Sequence, residues 1–379
     1  MSQRRKPRVA IVGGGMISKV HHRAARLAGA EIVAVLGVDP EHTRMQASEW
    51  EVPHAPESMD ALLELKPDIV HIASPNATHP TYAIQALDAG VSVICEKPIA
   101  TDLNTARVMA AAAERAAAHG AITAVPFIYR YHPVVREIRE RRLAGRLGRT
   151  YAVHGSYLQD WMLPKEEGNW RVDPEVGGAS RAFADIGSHW FDLAEWVSGE
   201  RVETLSAVLS IAIDERPQGT GSTFGSESAT STELFPVSTE DIAMVTGRTR
   251  AGVPIQSTIS QVSGGRKNRL WLEIDGADGS AAFDQEQPEL GWFGGFESTE
   301  LFVRNPGAGT AEQRRLSVLP AGHSQGFAMC FEAFVADVYE TMGGNDREIP
   351  TFADGLRAAA LTEAVLRAAR EQAWTAVAG

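Results

Sequence analysis

The chain opens with a short apolar run, Val9-Ala-Ile-Val12, that stops at Gly13-Gly-Gly15 and passes into a helix-forming stretch reaching Arg26. A glycine-rich turn between strand and helix lets backbone N–H groups approach a pyrophosphate at the helix N-terminus. The pattern then repeats. Strands are predicted at Glu31–Leu36, Asp68–Ala73, from Val91 to an abrupt stop at Glu96-Lys97-Pro98, and at Ala121–Pro126, with helices at Asp60–Leu65, Pro80–Ala89 and Thr101–His119 between them. This alternation, with near-continuous apolar strands, predicts a doubly wound parallel sheet of the Rossmann type over residues 1–126. The glycine spacing is G-x-G-x-x-S, with Ser18 in place of the third glycine. It fits either a dinucleotide cradle formed by Gly13, Gly15, Met16 and Ile17 or a plain structural turn. An acidic residue at the second strand end binds a ribose in NAD-type sites. Here Gly37 follows the strand directly, and Asp39 comes two residues later, before Pro40. Asp39 is either the ribose ligand or a turn residue, and both NAD and NADP stay open.

Open α/β sheets bind ligands beyond the carboxyl ends of their strands. Two polar groupings fall there: Ser74, Asn76 and His79 after the third strand, and Glu96-Lys97-Pro98 after the fourth. Proline after Lys97 disfavours helix at the lysine and predicts an extended residue aimed away from the strand. Residues 127–379 change character. A charged helix at Pro133–Leu143 leads to alternating strands at Thr150–Leu158, Val202–Ile213, Ile242–Thr249, Pro254–Val262, Leu270–Asp275 and Ser280–Phe283. Helices at Ser324–Met342 and Ala353–Ala373 close an α+β second domain. The Ser/Thr/Gly-rich stretch Asp214–Glu240 lacks periodicity and is expected to be a mobile loop. Asp185, His189 and Asp192, spaced i, i+4 and i+7, share one face of a continuous helix. With Ser188 as N-cap, the helix dipole would keep His189 neutral, and a neighbouring carboxylate would set its tautomer.

Composition narrows the partners. A net charge of −12 disfavours nucleic acid and anionic membranes. The two cysteines, Cys95 and Cys330, sit in apolar contexts without metal-binding spacing, as expected for buried thiols in a reducing cytoplasm. Arg8–Val12 is too short for a signal-peptide core, and no apolar run approaches the roughly 18 residues of a membrane span.

Taken together, Gly13-Gly-Gly15, Ser74-Pro-Asn76 with His79, Glu96-Lys97-Pro98 and Gly177-Gly…Asp185-Ile-Gly-Ser-His189…Asp192 resemble the Gfo/Idh/MocA oxidoreductases. Tyr157-Leu-Gln-Asp-Trp161, Trp170-Arg171, Glu273-Ile-Asp-Gly276 and Phe352-Ala-Asp-Gly355 are most similar to the levoglucosan- and inositol-type sugar dehydrogenases within that family. The resemblance implies a large open, mostly antiparallel sheet in the second domain and a homodimer or homotetramer. It also implies oxidation of a secondary hydroxyl of a sugar, glycoside or cyclic polyol by NAD(P), or the reverse. Lys97 and His189 would carry proton transfer and Asp185 would orient the substrate. Glu96, Lys97, Ser74, Asn76 and His79 would touch the cofactor, and Trp170 and Arg171 would close over the site. Arg130 and Trp161 join the expected substrate contacts. Enzymes of the same fold that recycle NAD internally, or that reduce non-sugar carbonyls, are the alternatives.

Overall fold

The computed structural model describes residues 5–217 and 233–378. In chain order its first half consists of β1 (Arg8–Val12), α1 (Met16–Leu27), β2 (Glu31–Leu36), α2 (Pro40–Glu49), α3 (Met59–Glu64), β3 (Ile69–Ile72), α4 (His79–Asp88), β4 (Ser92–Cys95), α5 (Leu103–Ala117) and β5 (Thr123–Ala124). The strands form a parallel sheet in the order β2-β1-β3-β4-β5. Val9, Ile11, Ile69 and Val93 are fully buried, as strands covered on both faces must be. β4 ends at Cys95, where the stop at Glu96-Lys97-Pro98 was expected, and only the Glu96 amide continues the ladder, to the Ile72 carbonyl at 2.9 Å. Helix α2 was not anticipated, although its signal was present: Asp39 caps it through the His42 amide at 2.8 Å, and Pro40 occupies its first turn.

The second half comprises α6 (Pro133–Leu143), β6 (Thr150–Leu158), α7 (Pro174–Gly177), α8 (Ser188–Ser198), β7 (Val202–Ser210), β8 (Glu215–Pro217), β9 (Leu234–Pro236), β10 (Ile242–Thr249), β11 (Pro254–Ser260), β12 (Arg269–Gly276), β13 (Ser280–Asp284), β14 (Leu290–Gly294), β15 (Thr299–Val303), α9 (Ala311–Leu316), α10 (Phe327–Met342), α11 (Phe352–Glu371) and β16 (Thr375–Ala376). Its nine-stranded sheet runs β15-β14-β13-β12-β6-β11-β10-β7-β16. All neighbours are antiparallel except β6 and β11. One face packs under α8, and the other is open.

Gly155 on β6 shows how α8 is held. A Cβ there would lie 2.0 Å from the Trp271 carbonyl and 2.8 Å from Trp190 Nε1. Its absence lets the fully buried Trp190 donate to that carbonyl at 2.8 Å. Trp190→Ala would therefore cost about 3–5 kcal/mol. The closing helices tie the halves together: α10 packs on α1 and α11 on α5, and the Val125 amide donates to the Pro350 carbonyl at 2.9 Å.

The middle of the 214–240 insertion, residues 218–232, lies outside the described residues, so the expectation of a mobile loop is not addressed there. Its ends are ordered, contrary to a structureless reading. β8 and β9 pair antiparallel, and buried Arg216 donates to the carbonyls of Met162, Pro164 and Glu167. The insertion thus braces the segment that carries Trp170 and Arg171. Cys95 and Cys330 are buried free thiols. Among the described residues, no helix is long and apolar enough to cross a membrane.

Candidate active site

A cleft of about 720 Å³ runs between the carboxyl edge of the parallel sheet and the N-terminal end of α8. Its first wall is the glycine turn. Gly13 has φ +121°, and a Cβ there would approach the Ala73 carbonyl to 2.4 Å, so only glycine brings β1 this close to the end of β3. Ser18, where a third glycine was looked for, is fully buried with Oγ 3.4 Å from the same carbonyl. No side chain caps the first-turn amides of α1, and no acidic residue lies there. Those amides therefore fit a phosphate in charge and hydrogen bonding. Gly15, Met16 and Ile17 line the same wall.

The other predicted cofactor contacts divide. Ser74 and Asn76 line the cleft, and Asn76 Nδ2 reaches across to the Gly177 carbonyl at 3.2 Å. His79 also lines the cleft, and its ring lies between two backbone carbonyls, with Nδ1 2.9 Å from Pro98 O and Nε2 2.8 Å from Ser74 O, so it braces the two strand-end loops. Asp39 faces the α2 amides, and the cleft wall beside it is Val38 and His42.

Lys97 and Asp185 meet across the cleft. Lys97 Nζ donates to Asp185 Oδ1 at 2.6 Å and to the Asp185 carbonyl at 2.9 Å. Gln261 Nε2 donates to Asp185 Oδ2 at 2.8 Å, and Arg171 Nε lies 3.8 Å from Oδ1. Burial pushes the Asp185 carboxyl up, but Lys97 and Arg171 outweigh it and hold the group well below the usual carboxylate range. His189 lines the cleft edge-on to Tyr129 and Phe127, with ring centroids 5.2 and 5.7 Å away. Burial first, and then the Lys97 charge, keep it neutral.

That neutrality has a different origin from the expected helix dipole. Ser188 is not an N-cap, because its Oγ donates back to the Ala184 carbonyl at 2.7 Å. The helix continues backward into a π-helical turn at Phe183–Gly187. The wider turn holds an extra residue, so Asp185, His189 and Asp192 no longer form one stripe. Asp192 faces the back of α8, and among the described residues no carboxylate bonds His189. Its Nδ1 is buried without a hydrogen-bond partner among the described residues.

Arg130 likewise departs from the expected substrate side. It donates to Asp192 Oδ2 at 2.8 Å and to Asp354 Oδ1 at 2.7 Å, lining a separate cavity of about 320 Å³ behind α8. Trp161 is held by Gln159, whose Oε1 accepts its indole N–H at 2.9 Å, and Gln159 lines the cleft in its place. Trp170 and Arg171 do line the cleft, stacked with the guanidinium 4.3 Å from the ring centroid.

The sequence reading missed a polar cluster opposite Lys97. Tyr129 and Tyr157 hydroxyls lie 2.5 Å apart, Tyr157 donates to Asn268 Oδ1 at 2.7 Å, and Asn268 Nδ2 donates to Tyr129 at 3.2 Å. Gln159 Nε2 joins Asn268 Oδ1 at 2.9 Å. Burial raises both tyrosines, so their hydroxyls remain protonated donors.

Comparisons with known proteins agree with this geometry. The model of the oxidoreductase family with NAD-binding Rossmann fold matches residues 7–122, and that of the GFO/IDH/MocA C-terminal domain matches residues 135–282. Levoglucosan dehydrogenase of Pseudarthrobacter phenanthrenivorans is 29% identical over 390 residues, covering 97% of each chain. The crystal structure of an oxidoreductase domain protein from Kribbella flavida is 29% identical, with a TM-score of 0.89 over 99% of this chain and 100% of that one. A levoglucosan dehydrogenase complex with NADH and levoglucosan shares the fold at a TM-score of 0.88 and 24% identity, over 99% of this chain and 100% of that one. With its NAD-binding Rossmann domain, the chain belongs to the Gfo/Idh/MocA oxidoreductase family.

Proposed function

We propose that this enzyme oxidises a secondary hydroxyl of a sugar, glycoside or cyclic polyol, or reduces the corresponding ketone. The observation that carries the reading is that the Lys97 ammonium, held by Asp185, and the neutral imidazole of His189 line one cleft beside the glycine turn. Bound NAD supplies the hydride acceptor. Asp185 holds the Lys97 ammonium in place for the substrate oxygen, where it donates a hydrogen bond and stabilises developing negative charge. His189 accepts the hydroxyl proton, a role that requires the unprotonated ring its burial maintains. Tyr129, Tyr157, Gln159 and Asn268 offer donors and acceptors suited to further hydroxyl groups. Trp170 offers an apolar face to a sugar ring.

The levoglucosan dehydrogenase relative, similar over nearly its whole length, supports a sugar-type substrate. Exposed Val208, Met244 and Leu301 on the open face of the nine-stranded sheet support assembly of copies into a homodimer or homotetramer. Two buried free thiols suit a reducing cytoplasm. The test is a rate panel of levoglucosan, inositols, glucosides and hexoses with NAD and with NADP, followed by reduced-nicotinamide absorbance. One polyol should give a sustained rise. Turnover of hydrophobic ketones in preference to every polyol would contradict the reading.

A further inference from the structure

Four buried polar side chains that this reaction does not use form an unbroken line into the cleft. Tyr339 on α10 places its hydroxyl 3.0 Å from His71 Nε2 on β3. His71 Nδ1 lies 3.1 Å from His21 Nδ1 on α1, and His21 Nε2 lies 3.2 Å from Glu96 Oε1 at the end of β4. His21 and His71 are fully buried, Tyr339 is 7% exposed and Glu96 is 8% exposed. Buried polar groups are costly unless partnered, and here every ring nitrogen has a partner.

Donor chemistry fixes the direction of the line. Burial raises the Tyr339 hydroxyl, so it keeps its proton and donates to His71 Nε2. Burial keeps His71 neutral, so its single proton sits on Nδ1 and is donated to His21 Nδ1. The His21 proton is left on Nε2, facing a carboxylate that can only accept. With one proton on His21, the reverse direction would turn a lone pair toward Glu96. Every donor therefore points at Glu96, whose Oε2 also accepts the Lys97 amide at 3.2 Å. Lys97 gives its own charge to Asp185, and among the described residues no lysine or arginine pairs with Glu96. A carboxylate held by neutral dipoles keeps its field, and Glu96 lines the cleft.

We infer that Tyr339, His71 and His21 are positioning residues that fix Glu96 as a negative wall of the cofactor cleft, and that this wall favours oxidised NAD, with its cationic ring, over NADH. The inference rests on the reading of the cleft as an NAD site and adds to it a preference for one redox form. It also makes α10, from the second half of the chain, part of the cofactor site.

Equilibrium dissociation constants for NAD and NADH, measured by fluorescence without substrate, test it in the wild type, Glu96→Gln, Tyr339→Phe and the double variant. Glu96→Gln should weaken NAD relative to NADH by about tenfold. Tyr339→Phe, which removes only the hydroxyl, should move the ratio the same way by about threefold, and should add nothing in the Glu96→Gln background. An unchanged ratio in Glu96→Gln, or a Tyr339→Phe effect that persists in the double variant, would overturn the inference and leave the dehydrogenase reading standing. A wild type that binds neither form would overturn both.

Discussion

Asp185 and Asp192 lie on one helical segment, each partly exposed and each paired with a basic side chain, yet their environments push them in opposite directions. Asp185, on the cleft side, is pushed up by burial but faces Lys97 and Arg171 and ends well below the usual range. Asp192, behind the helix, is pushed up by burial to about 7, because Arg130 is shared with Asp354 and Glu195 adds a second negative neighbour. The difference lies in the ratio of charges. In front, one carboxylate serves two cations, and Gln261 saturates its second oxygen. Behind, one cation serves two carboxylates. The front arrangement keeps an ammonium fixed and accessible at a cleft. The rear one locks α8 to the start of α11, whose capping box already uses Asp354. One side is arranged for chemistry and the other for holding the helix that carries it.

That contrast breaks if the two sides respond alike to substitution. The largest expected effect is at Lys97: Lys97→Ala should lower kcat/KM by about 10²–10⁴-fold. Initial rates together with a cofactor titration would check that folding and NAD binding persist. Behind the helix, Asp192→Ala leaves Arg130 buried with one partner removed and should cost about 3 kcal/mol of stability by urea denaturation. Turnover per folded molecule should stay within about tenfold of wild type. Asp185→Asn should invert this pattern, with kcat/KM down roughly 10²-fold and a smaller loss of stability, because it removes the charge that orients Lys97.

pH sharpens the comparison further, with smaller effects. The folded Asp192 carboxyl lies above its ordinary 3.8, so its contribution to stability is complete below that value and is lost as pH rises through about 7. Wild type should therefore lose ground to Asp192→Asn between about pH 4 and pH 8, by at most about 1.4 kcal/mol per pH unit. In front, His189 is held well below 6.5 by burial and Lys97, so kcat/KM should show no histidine limb near that value. A clear limb there would show that His189 titrates as an exposed ring does.

The parts of this site that were legible in the sequence share a physical cause. Gly13, Ser74, Asn76 and Lys97 follow directly from buried parallel strands, whose carboxyl ends are marked by an abrupt change from apolar to polar residues. His189 and Asp185 stand in a glycine-flanked segment whose local chemistry already marked it. What the sequence concealed depends on distant partners. The direction of Arg130 is set by Asp354, 224 residues away, and no local pattern records that. The π-helical turn at Phe183–Gly187 shifts a one-face prediction without altering the composition that suggested a helix. β14 went unseen because Gly291 and Gly294 interrupt the alternation that announces a strand, and β15 because it is largely exposed, with only Phe302 buried. The Tyr129–Tyr157–Asn268 cluster draws on three separated segments, and only the sheet brings them together.

The most direct test of the central claim follows the hydrogen itself. A polyol active in the panel would be prepared with deuterium at the carbon to be oxidised, and turned over with wild type and with Lys97→Ala. Mass spectrometry of the recovered nicotinamide should find the deuterium in the reduced cofactor of the wild type and essentially none with the variant. Deuterium returned to the sugar product, or released to water while NAD stays oxidised, would contradict net hydride transfer from the polyol to the cofactor.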